Sequence, residues 1–263
     1  MTAKIAHEAP ISIFNLVRYT TDYDYALVHL FEENERYWDC FKDFKSTRRE
    51  VILDNSIFEL GEAFSTDKFY PWIEKLLPTW YIIPDKLEDA EVTVKNVKEW
   101  QHVPLSKAIG VVQGKTYEEM VWCYKEIEPL VDKVAISFDY SFFVDEDKYG
   151  KLPTKFHYYM LGRDDLIHRM LSDRVINENK RHHLLGCGLP QEFTSYRNYD
   201  WIDSIDTSNP VVAGIKGIEY NGVNGLEDKP TVKLFTLIDA ELDDDTVRTI
   251  RKNISWFRQI VRG

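Results

Sequence analysis

Short runs of β-branched and aromatic residues alternate along the chain with longer stretches in which apolar residues return at helical spacing. The runs that read as strands are Ile11–Leu16, Tyr25–Leu30, Glu50–Leu53, Trp80–Ile83, Ala108–Val112, Lys133–Ser137, His183–Gly186, Trp201–Ile205 and Leu234–Ile238. The stretches that read as helices are Tyr70–Leu77, Asp89–Trp100, Tyr117–Ile127, Phe156–Leu171 and Gln191–Tyr196. Alternation of this kind predicts a parallel sheet with helical crossovers. A doubly wound open sheet would carry a glycine-rich turn after its first strand. Here Ile11–Leu16 runs into Val-Arg-Tyr-Thr-Thr-Asp-Tyr-Asp, which has no glycine, and no phosphate-binding loop follows any strand. The expectation is one α/β domain over residues 1–263, a (β/α)8 TIM-type barrel with a C-terminal helix. That helix is the clearest element. Asp243 to Asp245 supply its cap, Val247, Ile250, Ile254, Phe257 and Val261 its apolar stripe, and Arg258 and Arg262 the positive end, expected to face outward.

A chain of 263 residues suits one such barrel, for which roughly 250 is typical. Aromatic residues reach 14% and could serve stacking or core packing. No apolar run approaches the roughly 20 residues of a membrane span, and Met1 to Pro10 lacks the pattern of a signal peptide. The expectation is a cytoplasmic protein with no membrane partner. Cys40, Cys123 and Cys187 are scattered and odd in number, so neither a disulfide framework nor a cysteine zinc site is expected. The net charge of −11 argues against a simple nucleic-acid coat. Local basic clusters remain at Lys42, Lys45, Arg48 and Arg49, at Arg174, Lys180 and Arg181, and at Arg248, Arg251, Lys252, Arg258 and Arg262.

In a barrel of this type the reactive groups sit at the C-terminal ends of strands. Val51-Ile52-Leu53 ends at Asp54, Tyr81-Ile82-Ile83 at Pro84-Asp85, and Ile109-Gly110-Val111-Val112 at Gln113-Gly114. Leu184-Leu185 ends at Gly186-Cys187-Gly188, and Trp201-Ile202 meets Asp203, then Ser204-Ile205-Asp206. One aspartate after a strand is commonly a helix cap. Several carboxylates and an amide at one rim point instead to a shared site. Two carboxylates facing one carbon suit glycosyl chemistry, and amide and carboxylate groups match the edge of guanine. With no His-x-x-x-His and no Glu-rich helix, a metal site ranks lower, and neither metal nor cofactor is expected.

Four of these stretches resemble motifs of the queuine/archaeosine tRNA-guanine transglycosylases. Val51-Ile52-Leu53-Asp54-Asn55-Ser56-Ile57-Phe58-Glu59 resembles that family's aspartate–small–Gly-Gly–aromatic–Gln motif. Ile109-Gly110-Val111-Val112-Gln113-Gly114 is similar to its Gly-Ile-Val-Gln-Gly, the most specific of the four matches. His183-Leu184-Leu185-Gly186-Cys187-Gly188-Leu189-Pro190 is similar to its Tyr-Leu-Met-Gly-Val-Gly-x-Pro, and Trp201-Ile202-Asp203-Ser204 to its Met-Phe-Asp-Cys. The resemblance implies a barrel that exchanges a purine base in a nucleic acid. It implies Asp203 as nucleophile, Asp54 as acid/base, Asp85 and Gln113 (with Gly114) reading the base, Phe58 and Leu185 sandwiching it, and Gly186 passing close to it.

The family's zinc-binding cysteine cluster is missing, and Thr207-Ser208-Asn209 stands where its Pro-Thr-Arg would follow the nucleophile. The chain looks most like compact phage and bacterial relatives that insert 7-deazaguanines into DNA. The implied partners are DNA and a free 7-deazaguanine base, with tRNA as the alternative nucleic acid. A homodimer or a partner subunit stays open, as do a non-catalytic nucleic-acid-binding subunit and a hydrolase.

Overall fold

The computed structural model describes residues 3–221 and 225–263, the side chain of Lys45 excepted. Eight parallel strands form one nearly closed barrel: β1 (Lys4–Ala6), β2 (Asp24–Leu27), β3 (Val51–Asp54), β4 (Trp80–Ile82), β5 (Lys107–Val112), β6 (Lys133–Ser137), β7 (Arg181–Leu185) and β8 (Ile202–Asp206). Each strand from β2 to β7 pairs with its successor, and β8 pairs with β1. Every residue of β2, β3 and β4 is buried, as strands covered by helices on one face and a filled barrel on the other must be.

The seam between β1 and β2 is joined by Asp22. Its backbone N–H donates to the Ile5 carbonyl at 2.8 Å, and its carboxylate accepts from the Ile5 N–H at 2.9 Å. One acidic residue thus stands in for a strand ladder. The C-terminal helix, Asp244–Arg262, neutralises it: Arg258 and Arg262 donate to the two carboxylate oxygens at 3.0 and 2.7 Å. The predicted stripe of Ile250, Ile254, Phe257 and Val261 is buried on the barrel, but these two arginines reach inward to the seam instead of outward.

Two predicted strands are helical. Ile11–Leu16 becomes a 3₁₀ turn, Ile11–Ile13, followed by a short helix, Phe14–Arg18. Its buried residues, Ile13 and Val17, are four apart, so the Ile-Ser-Ile alternation was incidental. The first strand is Lys4–Ala6, too short to show a period. Leu234–Ile238 forms a 3₁₀ turn over Leu234–Leu237. The second predicted strand stops at Leu27, and Val28–Glu33 is a helix. Gln191–Tyr196 is a 3₁₀ turn, Pro190–Thr194.

Much of the basic surface offered by the sequence lies at the N-terminal ends of the strands. Arg18 and Arg49 clamp Asp24, the first residue of β2, at 2.6 and 3.0 Å. Lys180 and Arg181 stand at the start of β7, and Arg258 and Arg262 bind Asp22, just before β2. The five arginines pair with Asp22, Asp24 and Asp203 at the end opposite the strand C-termini, and Lys180 lies 3.8 Å from Glu128 in the turn before β6. Among the described residues, no helix is long and apolar enough to cross a membrane.

Candidate active site

A cleft opens at the C-terminal ends of the strands, with an empty volume of about 730 Å³ including the space open to solvent, a size usual for a small-molecule site. Asp54, Asp85, Gln113, Phe58, Leu185 and Gly186 all line it, as do Glu8, Tyr25, Asn55, Glu59, Phe138, Asp206 and Lys229. The structure therefore gathers six of the eight residues expected from the sequence. It does not gather Gly114 or Asp203.

Gly114 is required elsewhere. A Cβ there would stand 2.9 Å from Glu119 Cβ and from the Met120 nitrogen, so its hydrogen lets the helix Tyr117–Ile127 approach the end of β5. Asp203 lies at the other end of β8 from the cleft. Its carboxylate accepts from Lys133 Nζ at 2.6 Å and lies 3.8 Å from Arg181, and both partners begin their strands. Burial alone would raise the Asp203 carboxyl. Lys133, with Lys4 and Arg181, outweighs that and holds it below the ordinary carboxylate range.

Asp206, the last residue of β8, is the carboxylate this strand delivers to the cleft. At about 3.3 Å per residue, it is some 10 Å along the strand from Asp203. Asp206 Oδ1 accepts from the Gly186 N–H at 3.2 Å and lies 3.0 Å from His183 Nε2. Its Oδ2 has no hydrogen-bond partner among the described residues. The sequence held the signal. The rule that selected Asp54 and Asp85, a carboxylate following the last apolar residue of a strand, selects Asp206 after Ile205. The motif match instead placed the register three residues earlier.

Asp54 is held from two sides. The Tyr25 hydroxyl donates to Oδ2 at 2.6 Å, and the Ser56 N–H donates to Oδ1 at 2.5 Å. Ser56 reaches that oxygen by adopting a left-handed backbone, φ 61°, a region that favours glycine. It stands where the resembled motif has its first glycine. Burial pushes the Asp54 carboxyl up to about 7, against the two hydrogen bonds and with help from Asp206 and Asp85. The Tyr25 ring stacks on His183 with centroids 6.1 Å apart. The holders of Asp54 and of Asp206 therefore pack face to face inside the barrel.

A second network joins the ends of β3, β4 and β5. Asn55 Nδ2 donates to Asp85 Oδ1 at 2.8 Å, and Gln113 Nε2 donates to Asp85 Oδ2 at 2.6 Å. Gln113 Oε1 accepts from the Glu88 N–H at 2.9 Å. Gln113 is buried with both ends of its amide engaged, so it orients Asp85. Each Asp85 oxygen keeps a lone pair for a ligand. Burial raises the Asp85 carboxyl, against both amides.

Phe58 and Phe138 make an aromatic wall, with centroids 5.8 Å apart, and Leu185 lines the same cleft. Gly186 backs Phe138. It has φ +64°, and a Cβ there would stand 2.5 Å from the Phe138 ring. We predict that Gly186→Ala loses about 1–2 kcal/mol of stability from the left-handed backbone and drives Phe138 into the cleft. If the cleft takes the free guanine that the resemblance implies, its binding should weaken about tenfold in calorimetric titration. Unchanged affinity would remove Phe138 from the ligand wall.

Several contributors had no signal of their own in the sequence. Lys229 Nζ donates to the Cys187 carbonyl at 2.6 Å and sits 4.3 Å from the Phe138 centroid. Lys233 Nζ donates to the Phe58 and Glu59 carbonyls at 2.7 and 3.1 Å. Both lysines fasten the 225–238 segment across the rim. Buried Arg163 pairs with buried Glu192 and donates to the Leu185 and Gly186 carbonyls at 2.9 and 3.1 Å, fixing the loop that backs Phe138.

Glu8 and Glu59 add to the acidic side. Burial pushes Glu59 up to about 8, with Asp54 adding repulsion, and raises Glu8 well above the carboxylate range, with Glu59, Asp206 and Asp54 adding to it. Among the described residues, no group of three or more His, Cys, Asp and Glu side chains is placed to hold a metal ion. The carboxyls have a consequence for stability. Their folded pKa values lie above the unfolded ones, so the folded state keeps protons that the unfolded chain releases, and stability falls as pH rises. Buried His7 and His29, lowered to about 4 by desolvation, act oppositely and cost stability only as pH falls below 6.5. Between about pH 6.5 and 8.5 the carboxyls dominate. The melting temperature should therefore fall across that window, and fall less in Asp54→Asn/Glu59→Gln. A parallel profile in the double variant would place the titration elsewhere.

No protein-family model matches this chain, and no curated protein matches it either.

Proposed function

We propose that the chain is a base-exchange transglycosylase that replaces guanine in DNA by a 7-deazaguanine, with Asp206 as nucleophile and Asp54 as acid/base. The observation that carries this reading is the pairing of two differently held carboxyls on one cleft. Asp206 presents a free Oδ2, while Asp54, pushed up to about 7, is poised to give and take a proton near neutral pH. The aromatic wall and the Asp85 edge suit a flat base with N–H donors.

The chemistry is a double displacement. A target nucleotide leaves the stack and enters the cleft, as base-modifying enzymes require. Asp206 Oδ2 attacks C1′ of the sugar. The C1′–N9 bond breaks, its electron pair leaves with the purine, and Asp54 supplies the proton. The sugar is then an ester of Asp206. An incoming 7-deazaguanine returns its N9 proton to Asp54 and attacks C1′, and Asp206 departs as carboxylate. Two inversions give net retention, and the strand is never broken.

Incubation with labelled 7-deazaguanine, followed by mass analysis of DNA and of tRNA, tests the proposal. Label in DNA, with an equivalent of guanine released, is the expected result. Label only in tRNA would move the substrate to RNA. Guanine release without label would indicate hydrolysis, and no release from either nucleic acid would reject the enzyme reading.

A further inference from the structure

A chain of buried polar groups runs through the barrel from floor to cleft. On the floor, Lys133 lies 4.0 Å from the Trp80 ring centroid and donates to Asp203 Oδ2 at 2.6 Å and to Ser204 Oγ at 3.0 Å. Ser204 Oγ lies 2.9 Å from His183 Nδ1, and His183 Nε2 lies 3.0 Å from Asp206 Oδ1. Lys133, His183 and Ser204 are at most 1% exposed, so the chain is shut off from bulk solvent.

The protons along this chain can be assigned in order. An ammonium group only donates, so Ser204 Oγ accepts from Lys133. The single Ser204 O–H then needs an acceptor, and His183 Nδ1 is the one its partners offer. With Nδ1 accepting, the proton of a neutral imidazole lies on Nε2, where it donates to Asp206. Burial lowers the His183 pKa, opposed by Asp206 and assisted by Lys133, so the ring stays neutral.

We propose that the floor ion pair Lys133–Asp203 positions the nucleophile at a distance, by locking His183, through Ser204, as the Nε2–H tautomer that aims Asp206. The inference rests on Asp206 being the nucleophile. It makes His183 a positioning residue that exchanges no proton with the substrate, and it leaves proton transfer to Asp54. It also gives buried Lys133 a task beyond neutralising Asp203. The arrangement follows from strand geometry. His183 points into the barrel, whereas its neighbour His182 points outward to Tyr124 and Trp201. Ser204 and Asp206, two apart on β8, share the inward face.

The test uses protein labelled with ¹⁵N-histidine and long-range proton–nitrogen correlation, which reads the tautomer without activity. His183 should show a protonated Nε2 and an accepting Nδ1. Lys133→Met/Asp203→Leu removes both charges together, so neither is stranded. In it, His183 should populate both tautomers. The kcat for base exchange should fall by about 10- to 100-fold, with KM for the free base within about twofold. If that variant does not fold, Ser204→Ala carries the same comparison. His183→Gln, which keeps a donor toward Asp206, should retain more activity than His183→Phe. An Nδ1–H signature in the wild type, or unchanged tautomer and kcat in the variants, would overturn the proposal. Absence of exchange by the wild-type protein would instead count against the functional reading, and the nitrogen spectra would still decide the relay.

Discussion

Asp206→Asn should abolish base exchange, by about 10⁴-fold or more, while leaving the melting temperature close to that of the wild type. An amide is a poor nucleophile toward C1′, but it still accepts from the Gly186 N–H and His183 Nε2 at the site of Oδ1. Asp203→Asn should give the opposite pattern. It weakens the partner of Lys133, which is 1% exposed, and a buried charge losing its counter-charge costs about 3 kcal/mol. Its exchange activity should drop by no more than about 100-fold, through the aim of Asp206. Mass analysis of denatured enzyme after incubation with substrate separates the two: a sugar adduct forms with Asp203→Asn and none with Asp206→Asn. An adduct on Asp206→Asn would mean that another carboxylate attacks.

Arg163→Met should be the most destabilising single change away from the carboxylates. Arg163 and Glu192 are both fully buried, and the Tyr196 hydroxyl also donates to Glu192 at 2.9 Å. Removing the guanidinium strands the Glu192 charge and costs about 3–5 kcal/mol. For a chain of this size each kcal/mol moves the melting temperature by about 2–4 °C, so a fall of roughly 6–20 °C is expected. It also leaves the Leu185 and Gly186 carbonyls without their donor, so the loop behind Phe138 should loosen and base affinity should fall with stability. Arg163→Met/Glu192→Leu should recover most of the stability, because the stranded charge is gone, and little of the affinity. Thermal melts of both variants, with guanine titrations, check the pair of effects. A double variant as unstable as the single one would show that packing, not charge, sets the cost.

The sequence by itself determined the barrel and most of the cleft. Strand runs alternating with amphipathic stretches require a parallel sheet wrapped by helices, and the polar residues just past Leu53, Ile83 and Val112 fall on one rim because all parallel strands end there. Asp54, Asp85 and Gln113 were legible for that reason, and so was the helical stripe of Asp244–Arg262. What escaped depended on contacts between segments far apart in the chain. Lys4–Ala6 is too short to show a period, and it is a strand because β8 and Asp22 complete its hydrogen bonds. Ile11–Leu16 alternates like a strand, yet the neighbouring layers bury Ile13 and Val17 on one helical face. The choice between Asp203 and Asp206 is of the same kind. Both are aspartates on one strand, and two signals in the sequence divide them: the strand-end rule selects Asp206 and the motif match Asp203. Lys133 and Arg181 hold the first at the floor, and His183 and Gly186 hold the second at the cleft. Partners supplied by β6 and β7 decide which carboxylate is neutralised and which keeps an oxygen free, and only the tertiary structure brings those strands alongside β8.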